Sequence, residues 1–348
     1  MKISILLPYK ENFSPNYAGA VSLFIKDTVS LSKFKKKIVI FGSTKFKKKL
    51  LKNYLNLSFK KYFFKSNTNS YLEKFKKCEL REKSNLIEIH NRPDYIDKLY
   101  KINDNLILYF HNNPNNMKNS NTVSKKISLL KKTKKIIFNS RWTKKQFLKG
   151  LTLNKEKREK LLIINQCAEK SYVNFKNKKN LVIFVGRLNK SKGYDLFGNA
   201  IVQLLNKYSS WKSIVIGDEP RENISFNHKN LKILGFQKYS SVLNWLSKSK
   251  ISVVCSRWDE PFGRVALEAS SKGCATIISN RGGLKEAAPN SIILNNLTVN
   301  SVKNAIEKLI KNSNLRIKLQ LRSYKKFKLT NNFISKKIDN YRQLLIKS

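Results

Sequence analysis

Residues 251–268 read ISVVCSRWDEPFGRVALE. The run Ile251–Val254 is short and apolar and ends at Cys255, as a buried strand does. A polar loop follows, and Pro261 stands where a first-turn proline would sit, its fixed φ suited to helix entry. Val265, Ala266, Leu267 and Ala269 then continue at helical spacing. Strand, polar loop and helix in that order make the repeating unit of a parallel sheet.

The same unit recurs in both directions from this stretch. Toward the N-terminus, apolar runs stand at Ile3–Leu7, Ile38–Phe41, Leu86–Ile89, Leu106–Phe110, Ile136–Phe138, Leu161–Ile164, Leu181–Val185, Ser213–Ile216 and Leu231–Leu234. Beyond it come Ala275–Ile278 and Ile292–Leu294. These runs are continuous rather than alternating, the mark of strands covered on both faces. Amphipathic segments such as Val242–Ser249 lie between them. The pattern predicts a doubly wound α/β fold. A polar stretch, Asn174–Asn180 (NFKNKKN), precedes a fresh strand and marks a boundary near 165–180. The 348 residues thus divide into two α/β halves of similar size, with ligand expected at the carboxyl ends of the strands, in the cleft between them.

The loop chemistry points at a phosphate. Backbone N–H groups of Phe262, Gly263 and Arg264 at a helix N-terminus would form an anion site. Glu260 and Glu268 bracket the turn, and carboxylates accept well from vicinal hydroxyls such as those of a ribose. If the backbone between them were helical, their Cα atoms would stand roughly 12 Å apart. The bland alternative makes Glu260 a helix-dipole partner and Glu268 a solvated residue, yet Glu268 is set among Val265, Ala266, Leu267 and Ala269. A second segment, Val185–Gly193 (VGRLNKSKG), joins a strand to a helix and carries Arg187 and Lys192. Cations there can pair with an anion.

The stretch EPFGRVALEASSKGCATIISNRGGLKE, from Glu260 to Glu286, resembles the signature of retaining glycosyltransferases of family 4, the group 1 glycosyltransferases. Glu260 and Glu268 meet its Glu-x7-Glu spacing, Gly282 and Gly283 its glycine pair, and Glu286 the glutamate that follows. VGRLNKSKG resembles the same family's GRL…KG element, and Ile216–Pro220 (IGDEP) its next glycine turn. The resemblance is specific over about 180–290 and generic over 1–165. It implies a GT-B fold, with two Rossmann-like domains facing across a cleft. Residues 1–170 would form an acceptor-side domain and 171–325 a donor domain, with a C-terminal helix in 326–348 (Phe327–Leu345 looks helical) returning to the first. It implies a nucleotide-sugar co-substrate of UDP or GDP type and no separate cofactor. Arg187, Lys192, Phe262, Gly263, Arg264 and Glu268 would bind the donor, and Glu260 would act at the sugar.

The N-terminal half departs from the family pattern. Where a Gly-Gly loop is usual, the chain reads Ala18-Gly19-Ala20, so Gly19 alone is assigned to the donor. Family members place a histidine near the reacting sugar. His111, in LYFHNNP, is the first choice for that catalytic role. His90, in IEIHNRPDY, is the second, as a sugar or acceptor contact. Each could instead be a loop-capping histidine, and His228 reads as surface.

Composition bounds the rest. With 71 Lys+Arg against 22 Asp+Glu, the net charge is +49. Nucleic acid is one partner such charge suits. No known binding motif or base-stacking aromatic face accompanies it, and Lys, Asn, Ile, Phe and Tyr all have A/T-rich codons, so compositional bias competes. An anionic membrane is the other partner. Lys45–Lys65 (KFKKKLLKNYLNLSFKKYFFK) interleaves lysines with aromatics in the manner of a membrane-docking surface. Four scattered cysteines without a CxxC pair suit a reducing compartment, and neither a zinc spacing nor an Asp-x-Asp metal motif is present. The N-terminus, MKISILLPYKE, has too short an apolar run for a signal peptide. A cytoplasmic enzyme is expected, peripheral on the inner face of the cell membrane. It would transfer a hexose-type sugar without a metal to a glycan or lipid-linked acceptor, in lipopolysaccharide or related synthesis. A GT-B epimerase is the rival reaction.

Overall fold

A computed structural model describes residues 1–59 and 66–347. The contacts divide the chain into two units: 1–167 together with 331–348, and 168–330. The boundaries expected from the sequence, after residues 170 and 325, lie within five residues of these.

Among the described residues, the first unit holds seven parallel strands: β1 (Ile3–Leu6), β2 (Ile38–Gly42), β3 (Tyr54–Asn56), β4 (Leu86–His90), β5 (Leu106–Phe110), β6 (Lys135–Phe138) and β7 (Leu161–Ile163). Their spatial order is β3-β2-β1-β4-β5-β6-β7. The second holds six parallel strands: β8 (Lys179–Val185), β9 (Lys212–Ile216), β10 (Leu231–Ile233), β11 (Ser249–Val254), β12 (Ala275–Ser279) and β13 (Ile292–Leu294), in the order β10-β9-β8-β11-β12-β13. In each sheet the chain runs outward one way, then restarts beside its first strand and runs the other way. The switch falls between β1 and β4 in the first unit and between β8 and β11 in the second, where open parallel sheets bind ligands.

The apolar runs are continuous because both sheet faces are covered. Along β8, Val182 and Phe184 pack with Phe197, Ile201 and Val253 on one face, while Leu181 and Ile183 pack with Ile214, Val242 and Leu246 on the other. In the first unit Phe41, Phe75, Phe110, Phe138 and Phe147 fill a corresponding layer. Strand β3 has no apolar run, because it is an edge strand whose Leu55 and Asn56 are exposed.

Two local expectations are corrected. The helix after β11 begins at Arg264, not at Pro261, because its N-cap, Gly263, has φ +102°, outside the helical region and suited only to glycine. Phe262 and Pro261 therefore precede the helix, and the backbone from Glu260 to Glu268 is not one helical stretch. The segment read as a helix over Phe327–Leu345 starts instead at Asn331, because 328–330 runs extended: Ala168 N–H donates to Leu329 O, and Thr330 bridges Ala168.

The terminal helix, Asn331–Lys347, belongs to the first unit. Its Arg342 is buried and donates two hydrogen bonds of 2.8 Å to the carboxylate of Glu88 on β4. Burial alone would push this guanidinium's pKa down, but Glu88 beside it more than offsets that. Asp339 accepts from Ser32 Oγ (2.6 Å), and Ser335 Oγ donates to Thr28 O (2.7 Å), joining the helix to Ala20–Val29 and the turn after it. No helix among the described residues is long and apolar enough to cross a membrane.

Candidate active site

In the second unit a cavity of about 200 Å³ opens at the switch point. The end of β8 (Phe184, Val185, Gly186) forms one wall and Val254 and Ser256 another, with Lys192, Glu260, Gly263, Arg264 and Val265 completing it. Lys192 comes from the loop after β8 and Glu260 from the loop after β11. Their side chains meet in an ion pair of 2.5 Å, with Lys192 Nζ donating to Glu260 Oε1.

Backbone and side chains stitch the two loops together. The N–H groups of Arg257 and Trp258 both donate to Ser191 O. Arg257 grips Asp195 through two bonds, of 2.6 and 2.7 Å. Burial works to raise the Asp195 pKa, but the Arg257 pair prevails and holds it below the ordinary carboxylate value. Behind Glu260 lies the glycine pair. Gly283 N–H donates to Glu260 O at 2.7 Å. Gly282 has φ +56°, and a Cβ there would stand 2.0 Å from that oxygen, so no other residue fits against the glutamate's backbone.

The remaining sequence candidates fall in several places. Arg264 lines the cavity, and its Nε donates to Glu268 Oε1 at 2.6 Å while Nη2 donates to Tyr239 Oη at 3.0 Å. Glu268 is buried on this guanidinium rather than solvated, one turn further along the helix Arg264–Ser271. Phe262 is a core side chain, packed with Leu267, Ile278 and Leu284, so only its backbone could meet an anion. Arg187 is exposed beyond the end of β8 and has no ion-pair partner among the described residues. Glu286 lies on the short helix Leu284–Ala287 behind the glycine pair. Tyr239, Asp195 and Arg257 were not singled out from the sequence, since each is recognisable only by the partner it meets in space.

The other three candidates lie in the first unit, around its own switch point. Gly19 caps the helix Ala20–Val29. Above it sits Glu11, overlooked in the sequence, which accepts from both N–H and Oγ of Ser22 and whose pKa burial raises despite those bonds. His90 ends β4 and His111 follows β5. Both are buried, and His90 Nδ1 lies 3.0 Å from His111 Nε2. Burial drives both imidazoles toward the neutral form, His111 to a pKa of about 3. His228 instead lies half-buried in a turn, against Asn206 and Asn230. Among the described residues, no group of three or more His, Cys, Asp or Glu is placed to hold a metal ion.

The stretch 45–65 is only partly described, and residues 60–65 lie outside the described residues. Within 45–59, Tyr54 stacks on Phe13, Phe46 on Tyr17, and Leu57 is core, whereas Lys45, Lys47, Lys48 and Lys52 are exposed.

Comparison with solved structures defines the class. Alr3699/HepE of Anabaena, solved in complex with UDP and glucose, superposes with a TM-score of 0.75 at 15% identity, over 99% of both chains. The fold is therefore the two-domain GT-B architecture of Rossmann-like halves that the resemblance implied. Within it, residues 165–326, which contain the whole cavity, match the family model described as Glycosyl transferases group 1. Spore coat protein SA of Bacillus subtilis (strain 168) is 31% identical over 121 residues, 31% of this chain and 32% of that protein. The lipopolysaccharide core biosynthesis mannosyltransferase LpcC of Rhizobium leguminosarum bv. viciae is 29% identical over 118 residues, 31% of this chain and 33% of that protein. The alignments span about a third of these curated relatives' own lengths.

Proposed function

We propose that this protein is a retaining glycosyltransferase that moves a hexose-type sugar from a UDP- or GDP-linked donor to a glycan or lipid-linked acceptor, without a metal. The observation that carries the reading is the Lys192–Glu260 pair over a cavity at the sheet's switch point, beside the start of the helix Arg264–Ser271. In this reading the donor diphosphate takes Lys192 from Glu260, and the exposed Arg187 joins it. Two cations and the first N–H groups of the helix then stabilise negative charge as the diphosphate leaves, which is the task a divalent ion performs elsewhere. Glu260, released from Lys192, accepts from sugar hydroxyls, and Glu268 from the ribose. The match of residues 165–326 supports transferase chemistry, and the LpcC likeness favours a lipopolysaccharide or other surface-glycan acceptor.

A thermal-shift screen against UDP- and GDP-sugars tests the reading first, because a ligand that binds only the folded state raises the melting temperature. A shift with one nucleotide series is expected, followed by sugar transfer that persists in EDTA with the anomeric configuration kept. Conversion of the donor to an isomer without any acceptor would overturn transfer in favour of epimerisation. Inverted product or EDTA-sensitive turnover would overturn the corresponding part.

A further inference from the structure

Three observations about the histidine pair stand outside the roles assigned so far. The two rings share one hydrogen bond, His90 Nδ1 to His111 Nε2, at 3.0 Å. Their outer nitrogens, His90 Nε2 and His111 Nδ1, are buried with no hydrogen-bond partner among the described residues. And both rings are held in place: Tyr109 stacks on His90 at 4.3 Å, while the edge of Phe24 meets His111 at 5.4 Å. The His111 backbone is fixed as well, its N–H donating to Asn91 Oδ1 and its carbonyl accepting from Asn139 Nδ2.

A neutral imidazole carries a single N–H. If His90 Nδ1 donates, His111 Nε2 is the bare nitrogen and the His111 proton sits on Nδ1. If His111 Nε2 donates, His90 Nδ1 is bare and the His90 proton sits on Nε2. The shared bond thus forces both rings into the same tautomer, and the outer nitrogens always differ, one a donor and the other an acceptor.

We infer that His90 is a positioning residue which acts through His111: it ties the tautomer of His111 to its own, so that the outer nitrogens of the pair are always one donor and one acceptor for a substrate hydroxyl while both rings remain uncharged. The inference rests on the proposed transferase reading for what the hydroxyl belongs to, but not for the lock itself. The charged groups nearest the pair favour neutrality as a set. Arg342 opposes a proton on His90, and the Glu88 carboxylate that could have attracted one is already held by Arg342. Tyr109, stacked on His90, is itself held in its neutral form by burial.

The chain has three histidines, so ring ¹⁵N spectra of the full-length, histidine-labelled protein can be assigned with a His228→Gln variant and a His90→Phe variant. Between pH 5 and 8, both rings of the pair should be neutral and of the same tautomer, and His90→Phe should change the tautomer populations of His111. Opposite tautomers, or an imidazolium in the pair within that range, would overturn the lock. In turnover of a nucleotide-sugar donor, His90→Phe should lower kcat about 10–100-fold, the scale seen when the hydrogen-bond partner of a metal-ligating histidine is removed, with little change in KM. His90→Gln, whose amide can donate to or accept from His111 Nε2, should restore most of it. A folded His90→Phe protein with wild-type kcat would overturn the positioning role. If the wild-type protein turned over no nucleotide sugar, the proposed function would fall, and the ring spectra would still decide whether the lock exists.

Discussion

At Lys192 and Glu260 two opposite charges are parked against each other in a half-buried cavity, and in the proposed function each exchanges the other for a group of the donor. A diphosphate offers Lys192 more charge than one carboxylate does. Replacing Lys192 or Arg187 with alanine should therefore lower the transfer rate about 10²–10³-fold, the usual loss when one stabiliser of developing charge is removed, with the melting temperature nearly unchanged. Steady-state kinetics beside a melting curve checks this, and wild-type turnover in both variants would remove the diphosphate assignment. The histidines give a second prediction. Their pKa values are depressed in the folded protein, His111 to about 3, so below about pH 6.5 the unfolded chain binds protons that the folded one refuses. Their contribution to stability is complete above that pH and declines as the pH falls toward 3. Each refused proton steepens the decline by about 1.4 kcal/mol per pH unit. Urea midpoints between pH 7 and 5 should fall less steeply for His111→Phe than for wild type. Both histidines could be singled out in the sequence, but their contact could not, since it depends on β4 and β5 being hydrogen-bonded neighbours in register.

Among the elements, the inner strands announce themselves as apolar runs because burial on both faces leaves them no polar side, and the edge strand β10 is betrayed only by Leu231, Ile233 and Leu234. The edge strand β3 carries no such signal. The start of the helix after β11 was misread for a related reason: Pro261 is a generic sign of helix entry, whereas Gly263 fixes the actual start by a backbone angle that composition does not reveal. The residues gathered at the cavity were nonetheless legible, because Lys192, Glu260 and Gly282 lie within short fixed spacings of their strands. The resemblance placed the terminal helix back on the first half, but its pairing with β4 was not legible, since Glu88 and Arg342 are 254 residues apart. Arg342→Met should cost about 3–5 kcal/mol by leaving the Glu88 carboxylate buried without its cation. Adding Glu88→Gln should recover much of the loss, because the uncompensated charge is then gone. Chemical denaturation of both variants measures the difference, and no recovery in the double variant would argue against an electrostatic cause.

At the scale of the whole molecule, the charge of +49 is the least specific feature in sequence and structure alike. Of the aromatics in 45–59, Tyr54 packs inward on the buried Phe13, whereas Phe46 stacks on the exposed Tyr17, and Lys45, Lys47, Lys48 and Lys52 remain at the surface. If these lysines dock the enzyme on lipid, binding should require anionic vesicles and weaken as salt rises, at about 1 kcal/mol per lysine near the surface. It should also fall when Lys47, Lys48 and Lys49 become Glu. Co-sedimentation with vesicles of defined composition checks this, and equal binding to neutral and anionic vesicles would exclude electrostatic docking.

The discontinuity of the first unit bears on how the protein is made. A ribosome delivers Glu88 early, then the rest of that unit's sheet, then the whole of residues 168–330, and only afterwards Arg342. Throughout that interval a carboxylate destined for the interior has no cation to receive it. The nascent first half must keep that wall of its sheet wet, or screened by a chaperone, while the second half folds as a continuous segment. Completion thus runs opposite to the order in which the two units begin: the unit that begins last is completed first, and a message cut short after residue 330 yields the second unit whole beside a first unit that cannot close.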